Sequence, residues 1–386
     1  MDVDPVALAR DLVRCPSVTP DAGPALELCA RVLEAAGFAC IRLDFASAGP
    51  RVPNLVATVG EGRPHLVLNG HLDVVPPGDP ARWSIPPFSG EIRDGRLWGR
   101  GAADMKSGVA AMIAAAARHV ARRGLPRGRL SLFLTGDEEG PSVDGSARLV
   151  AWAVERGMAP DACLVGEPTS LERVGDLAKI GRRGSLTGRL TVFGRQGHTA
   201  YPQRADNAAH RLLAILLALL AIRLDEGTPW FEPSSLQIAS IDIGNPASNV
   251  IPGEARAVFN VRFNDRHSGA GLERRLRALL DGFGIPHELE VVIAAEPFRT
   301  EEGPLTETLA AAVEAVTGRR PRFDTGGGTS DARFFAPVCP VVELGLPGPT
   351  LHQVDEHVRT ADIEELARVY EVFVARFFAG VVTRPG

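Results

Sequence analysis

Hydrophobic and polar positions along the chain fall into two textures. In the first, short apolar runs end in polar clusters and alternate with stretches of helical periodicity. NLVATVG (54–60), HLVLNGHLDVV (65–75) and RLSLFLTGDEEG (129–140) read as strands, and DACLVGEPTS (161–170) as a strand running into a turn. Residues 5–37 read as one helix ending near Gly37, and MKSGVAAMIAAAARHVARRG (105–124) as another closed by Gly124. Strands alternating with helices predict an α/β sheet with helices on its faces. In such sheets ligands sit beyond the carboxyl ends of the strands, where the polar clusters fall.

From about Ser185 the texture changes. A half-exposed strand (185–202) leads to a long helix, then to SLQIASIDIG (235–244), GEARAVFNVRFN (253–264), the helix GLERRLRALLDGFG (271–284) and HELEVVIAAEP (287–297). That order is β-α-β-β-α-β, a split-βαβ, ferredoxin-like α+β unit. After Pro297 the α/β texture returns with a helix, TGGGTSDARFF (325–335), the strand PVVELG (340–345), TLHQVDEH (350–357) and a final helix. The expected organisation is a catalytic domain in two pieces, 1–183 and 297–386, with a lid or dimerisation domain inserted over 184–296.

Composition narrows the partners. The chain has 386 residues, 45% hydrophobic and 23% charged, which suits a globular protein too long for one ordinary core. Its net charge of −5 offers no general basic surface for nucleic acid. An acidic substrate would therefore have to be held by local arginines. The only lysines are Lys106 and Lys179. Five scattered cysteines without a CxxC argue against a disulfide framework and for a reducing compartment. The N-terminus places acids before any apolar run and does not read as a signal peptide, so the cytoplasm is the expected location. LLAILLALLAI (212–222) is too short to span a bilayer and reads as a buried or interface helix.

The polar clusters carry the chemistry. They contain His71 and Asp73, Asp104, Glu138 and Glu139, Glu167 and, near the end, His352. Alone, HLD fits a structural hydrogen bond and DEEG a solvated turn; their joint occurrence at successive strand ends points to a site. Imidazoles with carboxylates, and no thiolates, suit zinc and its neighbours. If Asp104, Glu139 and Glu167 are ligands, their three charges leave an excess of one around one divalent ion. Around two ions they leave +1, which a hydroxide neutralises. The natural assignment sets Asp104 between the ions, His71 and Glu167 on one, and Glu139 and His352 on the other. Adjacent residues rarely aim at one point, so Glu138 is free to act as general acid–base. Asp73 would orient His71 and fix its tautomer.

The combined motifs GHLDVVPPGD, DGRLWGRGAADMKSG, TGDEEG and GEPTS resemble the co-catalytic metallopeptidase family of aminoacylases and dimeric zinc carboxypeptidases, over essentially the whole chain. The resemblance implies a zinc-exopeptidase-like catalytic domain, a mixed sheet flanked by helices. It implies cleavage of amide bonds beside a carboxylate with two divalent ions, zinc first, with cobalt able to substitute. It also implies a cis peptide after the bridging aspartate, here Asp104–Met105. KIGRRGSLTG, GRQGHTAYP, SNVIPGEARAVFNVRF, TGGGTSDARFF and TLHQVDEHV are similar to the branch that hydrolyses N-succinyl-LL-2,6-diaminopimelate to succinate and LL-diaminopimelate. Carried over, His198 stabilises the oxyanion in the partner subunit's active site of a homodimer. Arg182, Ser185, Tyr201, Asn249, Arg262, Gly328 and Thr329 become substrate contacts. Arg182 and Arg262 could pair bidentately with carboxylates, and the 326–330 turn could offer amides and hydroxyls to an anion. Ser248 and Ala332 depart from that branch's usual Asn and Gly.

Three rivals stand beside this reading. A deacetylating branch acts on N-acetylornithine with the same chemistry; the segments 182–185 and 326–330 favour the desuccinylating one. A non-catalytic relative would have lost Glu138 or a ligand. A phosphate-binding Gly-rich loop would need the GK[ST] that TGGGTS lacks.

Overall fold

The structure, a computed structural model, describes residues 2–47 and 49–380. In chain order its principal elements are α1 (Pro5–Val13), α2 (Gly23–Ala35), β1 (Ala39–Phe45), β2 (Val52–Gly60), β3 (His65–His71), α3 (Ser107–Arg123), β4 (Arg129–Thr135), α4 (Ser146–Glu155), β5 (Ala162–Val165), β6 (Leu177–Lys179), β7 (Gly184–Phe193), α5 (Ala208–Leu220), β8 (Ser235–Asp242), β9 (Glu254–Phe263), α6 (Gly269–Asp281), β10 (His287–Ala295), α7 (Pro304–Thr317), β11 (Arg322–Asp324), β12 (Val341–Glu343) and α8 (Thr360–Ala379). They fall into two compact units. One runs to Ile180 and resumes over Arg299–Asp324 and from Ser330; the other comprises Gly181–Phe298 and Thr325–Thr329.

The first unit is built on one eight-stranded sheet in the order β1-β2-β4-β3-β5-β12-β6-β11. It is mixed: β4, β3, β5 and β12 run parallel to one another, whereas β1–β2, β2–β4 and β12–β6 pair antiparallel. Every residue of β3 is buried, as a central parallel strand covered on both faces requires. The Ala-rich helix α3 is buried from Ser107 to Ala117 and packs against α1 and α8. Glycines let it approach. A Cβ at Gly70 or Gly166 would lie 2.7 Å from Met105 Cε, so the turn carrying Asp104 rests directly on the ends of β3 and β5.

Residues 5–37 form two helices, which corrects the single helix expected there. Pro16 and Pro20 lack an amide hydrogen and turn the chain out of helix between them. The break is fastened beside β3: Ser17 Oγ donates to the Leu72 carbonyl at 2.6 Å, and the Thr19 amide to that of Val74 at 3.1 Å. The pattern also missed β1, an exposed edge strand without an apolar run, and the short helix α4.

In the second unit, β7–α5–β8–β9–α6–β10 follow in chain order and form an antiparallel sheet, β8-β9-β7-β10, with two helices. Leu190, Leu212, Leu216, Phe259, Phe263 and Leu276 are among its buried core. Asn207 caps α5, its side chain accepting the Ala209 amide at 3.0 Å. The segment Thr325–Thr329, expected with the C-terminal piece, groups with this unit. Leu213, Leu217 and Leu220 form an exposed stripe along α5, and Ile241 is exposed on the edge strand β8. Among the described residues no helix is long and apolar enough to cross a membrane.

Candidate metal centre

Three adjacent parallel strands deliver four of the site's acids and imidazoles at their carboxyl ends. His71 closes β3, Glu138 and Glu139 follow β4, and Glu167 follows β5. Asp104 comes from the irregular turn before α3, whose entry Gly101 is left-handed (φ +82°), and the Asp104–Met105 peptide is cis. His352 comes from the loop after β12.

These groups converge. His71 Nε2 lies 3.0 Å from Asp104 Oδ1 and 3.9 Å from Glu167 Oε1. On the other side of the same carboxylate, His352 Nε2 lies 3.4 Å from Asp104 Oδ2 and 2.8 Å from Glu139 Oε1. Ligand atoms of His71, Asp104 and Glu167 gather within 4.8 Å of one another, as do those of Asp104, Glu139 and His352. His71, Glu138 and Glu139 form a third such group. Asp104 turns one oxygen to each imidazole, a geometry that suits a bridge between two ions.

The electrostatics fit cations there. Burial opposes charge on His71, yet the Asp104 carboxylate holds its imidazolium well above the ordinary range. Hydrogen bonds to Asp104 and Glu139 raise His352 to about 10. Burial pushes Glu167 well up, and the neighbouring Asp104 adds to it. Glu167 Oε1 is buried without a hydrogen-bond partner. An acid cluster that holds protons on both imidazoles and leaves a carboxylate oxygen bare matches the needs of divalent ions with N and O ligands.

Glu138 stands apart from its neighbour. Burial raises its carboxyl to about 8, and Asp331, Glu139 and Asp104 push in the same direction. Asp73 does not act as expected. The His71 ring donates from Nδ1 to the Asp73 backbone carbonyl at 2.9 Å, so the carbonyl, not the carboxylate, fixes the tautomer that leaves Nε2 for a metal. The carboxylate, with Oδ1 3.7 Å from that Nδ1, is taken up by backbone, accepting the amides of Glu138 at 3.2 Å and Glu139 at 3.0 Å. A strand's two-residue period aligns these side chains only while the strand continues, and β3 ends at His71.

The substrate-contact candidates all lie in the second unit. The short ribbon pairing His198 with Val250 brings Asn249 beside His198, with the Asn249 carbonyl accepting the Thr199 amide at 3.0 Å. The Ala200 amide donates to His198 Nδ1 at 3.0 Å, so a neutral ring carries its proton on Nε2. Tyr201 is exposed, with its ring 5.7 Å from that of His198. Ser185 is buried opposite Arg262 in the β7–β9 register. Arg262 is held below the ordinary range by burial and by Arg183. Arg182 donates from Nη1 to the carbonyls of Gly326 and Gly328 at 3.5 and 3.3 Å, which braces the turn that carries Gly328 and Thr329.

Sequence reasoning placed neither His65 nor His357 in the site, and both have structural partners. His65 bonds Ser131, and His357 stacks on Trp98 at 4.3 Å. It missed Arg100 and Glu356, buried between the Asp104 turn and the His352 loop; their signals, the Arg of GRGAAD and the Glu of VDEH, were in plain view.

A model of peptidase family M20/M25/M40 matches residues 67–376. This chain belongs to that family. Within the M20/M25/M40 family, a Rhodospirillum centenum protein named succinyl-diaminopimelate desuccinylase is 53% identical over 385 residues, covering all of both chains. One of the same name from Gluconacetobacter diazotrophicus is 52% identical over 371 residues, 96% of each chain. An M20 metallo-carboxypeptidase from Sulfolobus solfataricus superposes with a TM-score of 0.80 at 16% identity, covering 98% of this chain and 99% of its own. A Bacillus subtilis M20 protein described as a dinuclear metal binding peptidase gives 0.74 at 15% identity, with 98% of each chain covered. Those two likenesses show the fold.

Proposed function

We infer that this chain is a metal-dependent amide hydrolase that converts N-succinyl-LL-2,6-diaminopimelate and water to succinate and LL-2,6-diaminopimelate, a step of lysine and diaminopimelate biosynthesis. The observation that carries the chemistry is Asp104, one oxygen toward His71 and the other toward His352, with Glu138 alongside. The substrate rests on whole-length identity of about half to relatives bearing the desuccinylase name.

His71 and Glu167 would hold one ion, Glu139 and His352 the other, and Asp104 both; zinc suits this donor set and cobalt can replace it. Bound there, divalent ions polarise the amide carbonyl and make water acidic near neutral pH, with a pKa of about 7. Glu138 takes a proton from the attacking water as its oxygen bonds to the amide carbon. It returns that proton to the nitrogen as the C–N bond breaks, so that the amine leaves neutral. His198 donates from Nε2 to the developing oxyanion, a contribution of about 10²–10³ in rate for donors of this kind. Arg262, Ser185, Asn249 and the turn at Gly328 and Thr329 face the substrate's carboxylates and polar tail, with Arg182 supporting the turn and Tyr201 beside His198.

The exposed stripe of α5 and the edge of β8 support a homodimer through the inserted unit, with His198 serving the partner's site. The scattered free cysteines support a cytoplasmic location.

The deciding experiment compares hydrolysis of N-succinyl-LL-diaminopimelate and N-acetylornithine by zinc-loaded protein and by Glu138→Ala. Strong preference for the succinyl substrate, lost in the variant, is expected. Preference for acetylornithine would overturn the substrate and keep the hydrolase. Turnover of neither by folded, metal-loaded protein would overturn both.

A further inference from the structure

The turn carrying Asp104 and the loop carrying His352 hang from one buried ion pair. Glu356 is fully buried and Arg100 is 2% exposed. Glu356 Oε1 accepts the amides of Ala103 at 2.8 Å and Asp104 at 3.2 Å. Its Oε2 accepts the Gly101 amide at 3.1 Å and Arg100 Nη1 at 2.6 Å. The Glu356 carbonyl accepts the Gly99 amide at 2.9 Å. Arg100 Nη2 in turn donates to the His352 backbone carbonyl at 3.3 Å, and the guanidinium lies over the Trp83 ring.

His352 needs such an anchor. Its side chain is 50% exposed and its φ is +58°, so packing does not fix the ring and its backbone sits in a region that β-carbons disfavour. The loop's outer end is tied separately, Asp355 accepting the Ser84 amide at 2.7 Å and hydroxyl at 2.8 Å. A buried ion pair is no better for stability than apolar residues of the same volume. What Arg100 and Glu356 add is direction, because four polar hydrogens converge on one carboxylate and the partner guanidinium reaches the facing loop. His71 and Glu167 depend on it far less. They stand at the ends of β3 and β5, whose ladders hold them, and Met105 wedges the Asp104 turn against Gly70 and Gly166.

We propose that Glu356 and Arg100 are positioning residues that set the Asp104–His352 separation, and thereby the affinity of the Asp104–Glu139–His352 site for its ion, with little effect on the His71–Asp104–Glu167 site. The proposal rests on the two-ion reading above.

The test is titration of metal-free protein with Co²⁺, followed by calorimetry and by the visible spectrum of the bound ion. Wild type is expected to take up two ions. Glu356→Gln is expected to bind the first within a few-fold of wild type and the second roughly 10–100-fold more weakly, the range for lost support of a ligand. Its kcat should recover as Co²⁺ is raised, with KM unchanged. Arg100→Lys, which keeps the charge but not the fork, should shift the second ion in the same direction by less. If an unpaired buried Arg100 prevents Glu356→Gln from folding, the double variant Arg100→Met, Glu356→Leu removes both charges and should weaken the second ion alike. Variants that bind both ions like wild type, or weaken both equally, would overturn the proposal. Wild type binding fewer than two ions would overturn the two-ion reading instead.

Discussion

Asp73 holds Glu138 by its backbone: the buried carboxylate accepts the Glu138 amide on one oxygen and the Glu139 amide on the other. A single residue thus sets where the proposed proton carrier, Glu138, and the proposed ligand Glu139 stand. Asp73→Asn replaces one acceptor by a donor facing an N–H. We expect kcat to fall by roughly 10–100-fold, with the second ion bound more weakly and His71 still seated by the Asp73 carbonyl. Steady-state kinetics at saturating metal, beside a metal titration, checks this; unchanged kcat and affinity would show that the amides position themselves.

Chelation should abolish hydrolysis and lower thermal stability together. Asp104, Glu139 and Glu167 crowd one another, and an ion held at 100 times its Kd adds about 2.7 kcal/mol to the folded state. Thermal melts with and without chelator, followed by addition of zinc or cobalt, should show a loss of several degrees and its return. Activity that survives exhaustive chelation would exclude a metal role.

The acid limb of the kcat/KM profile should respond to Asp331. This buried carboxylate accepts Ser146 Oγ at 2.6 Å and disfavours ionisation of Glu138, whose pKa burial has already raised to about 8. Glu138 must be ionised to accept a proton, and bound cations pull its pKa down from that value. Asp331→Asn removes a negative neighbour while keeping an acceptor for Ser146. The limb should therefore move to lower pH, and a limb that stays or rises would contradict the assignment of Glu138 as base.

The α5 stripe should matter for turnover as well as for assembly. Leu217 is 68% exposed. Leu217→Glu should convert a dimer to monomers in sedimentation experiments. If His198 serves the partner's site, kcat should drop by about 10²–10³, the worth of one oxyanion donor. Monomers with full activity would place His198's work within its own chain or nowhere.

The sequence carried the architecture where periodicity was strong. The buried run of β3, the Ala-rich α3 and the alternating strands β7 and β9 could all be read from spacing. Part of the candidate site could be read the same way, because His71, Glu138, Glu139 and Glu167 stand at or just after the ends of strands that the pattern already marked. What escaped had other causes. Residues 14–22 look helical by composition, yet two prolines break them. Asp73 reads as a partner for the His71 ring because its position suits one, but the chain leaves the strand just before it. Glu356 and Arg100 bear no periodic signal, since their meaning lies in backbone amides and a carbonyl that only the folded chain brings near. Arg182 reads as a ligand for an anion, and its hold on the Gly326 and Gly328 carbonyls has no signal in the sequence either.

The order of the pieces has a consequence for synthesis. All but five residues of the second unit form one continuous stretch, Gly181–Phe298, and its core draws on that stretch alone. It can close on the ribosome as soon as β10 emerges. The first unit cannot. β12 must enter between β5 and β6, α8 must cover α3, and His352 must arrive before the ligand set is complete. The nascent chain therefore carries an open sheet, with α3 uncovered, past a finished neighbour, and the proposed ligand set is assembled only once His352 has emerged.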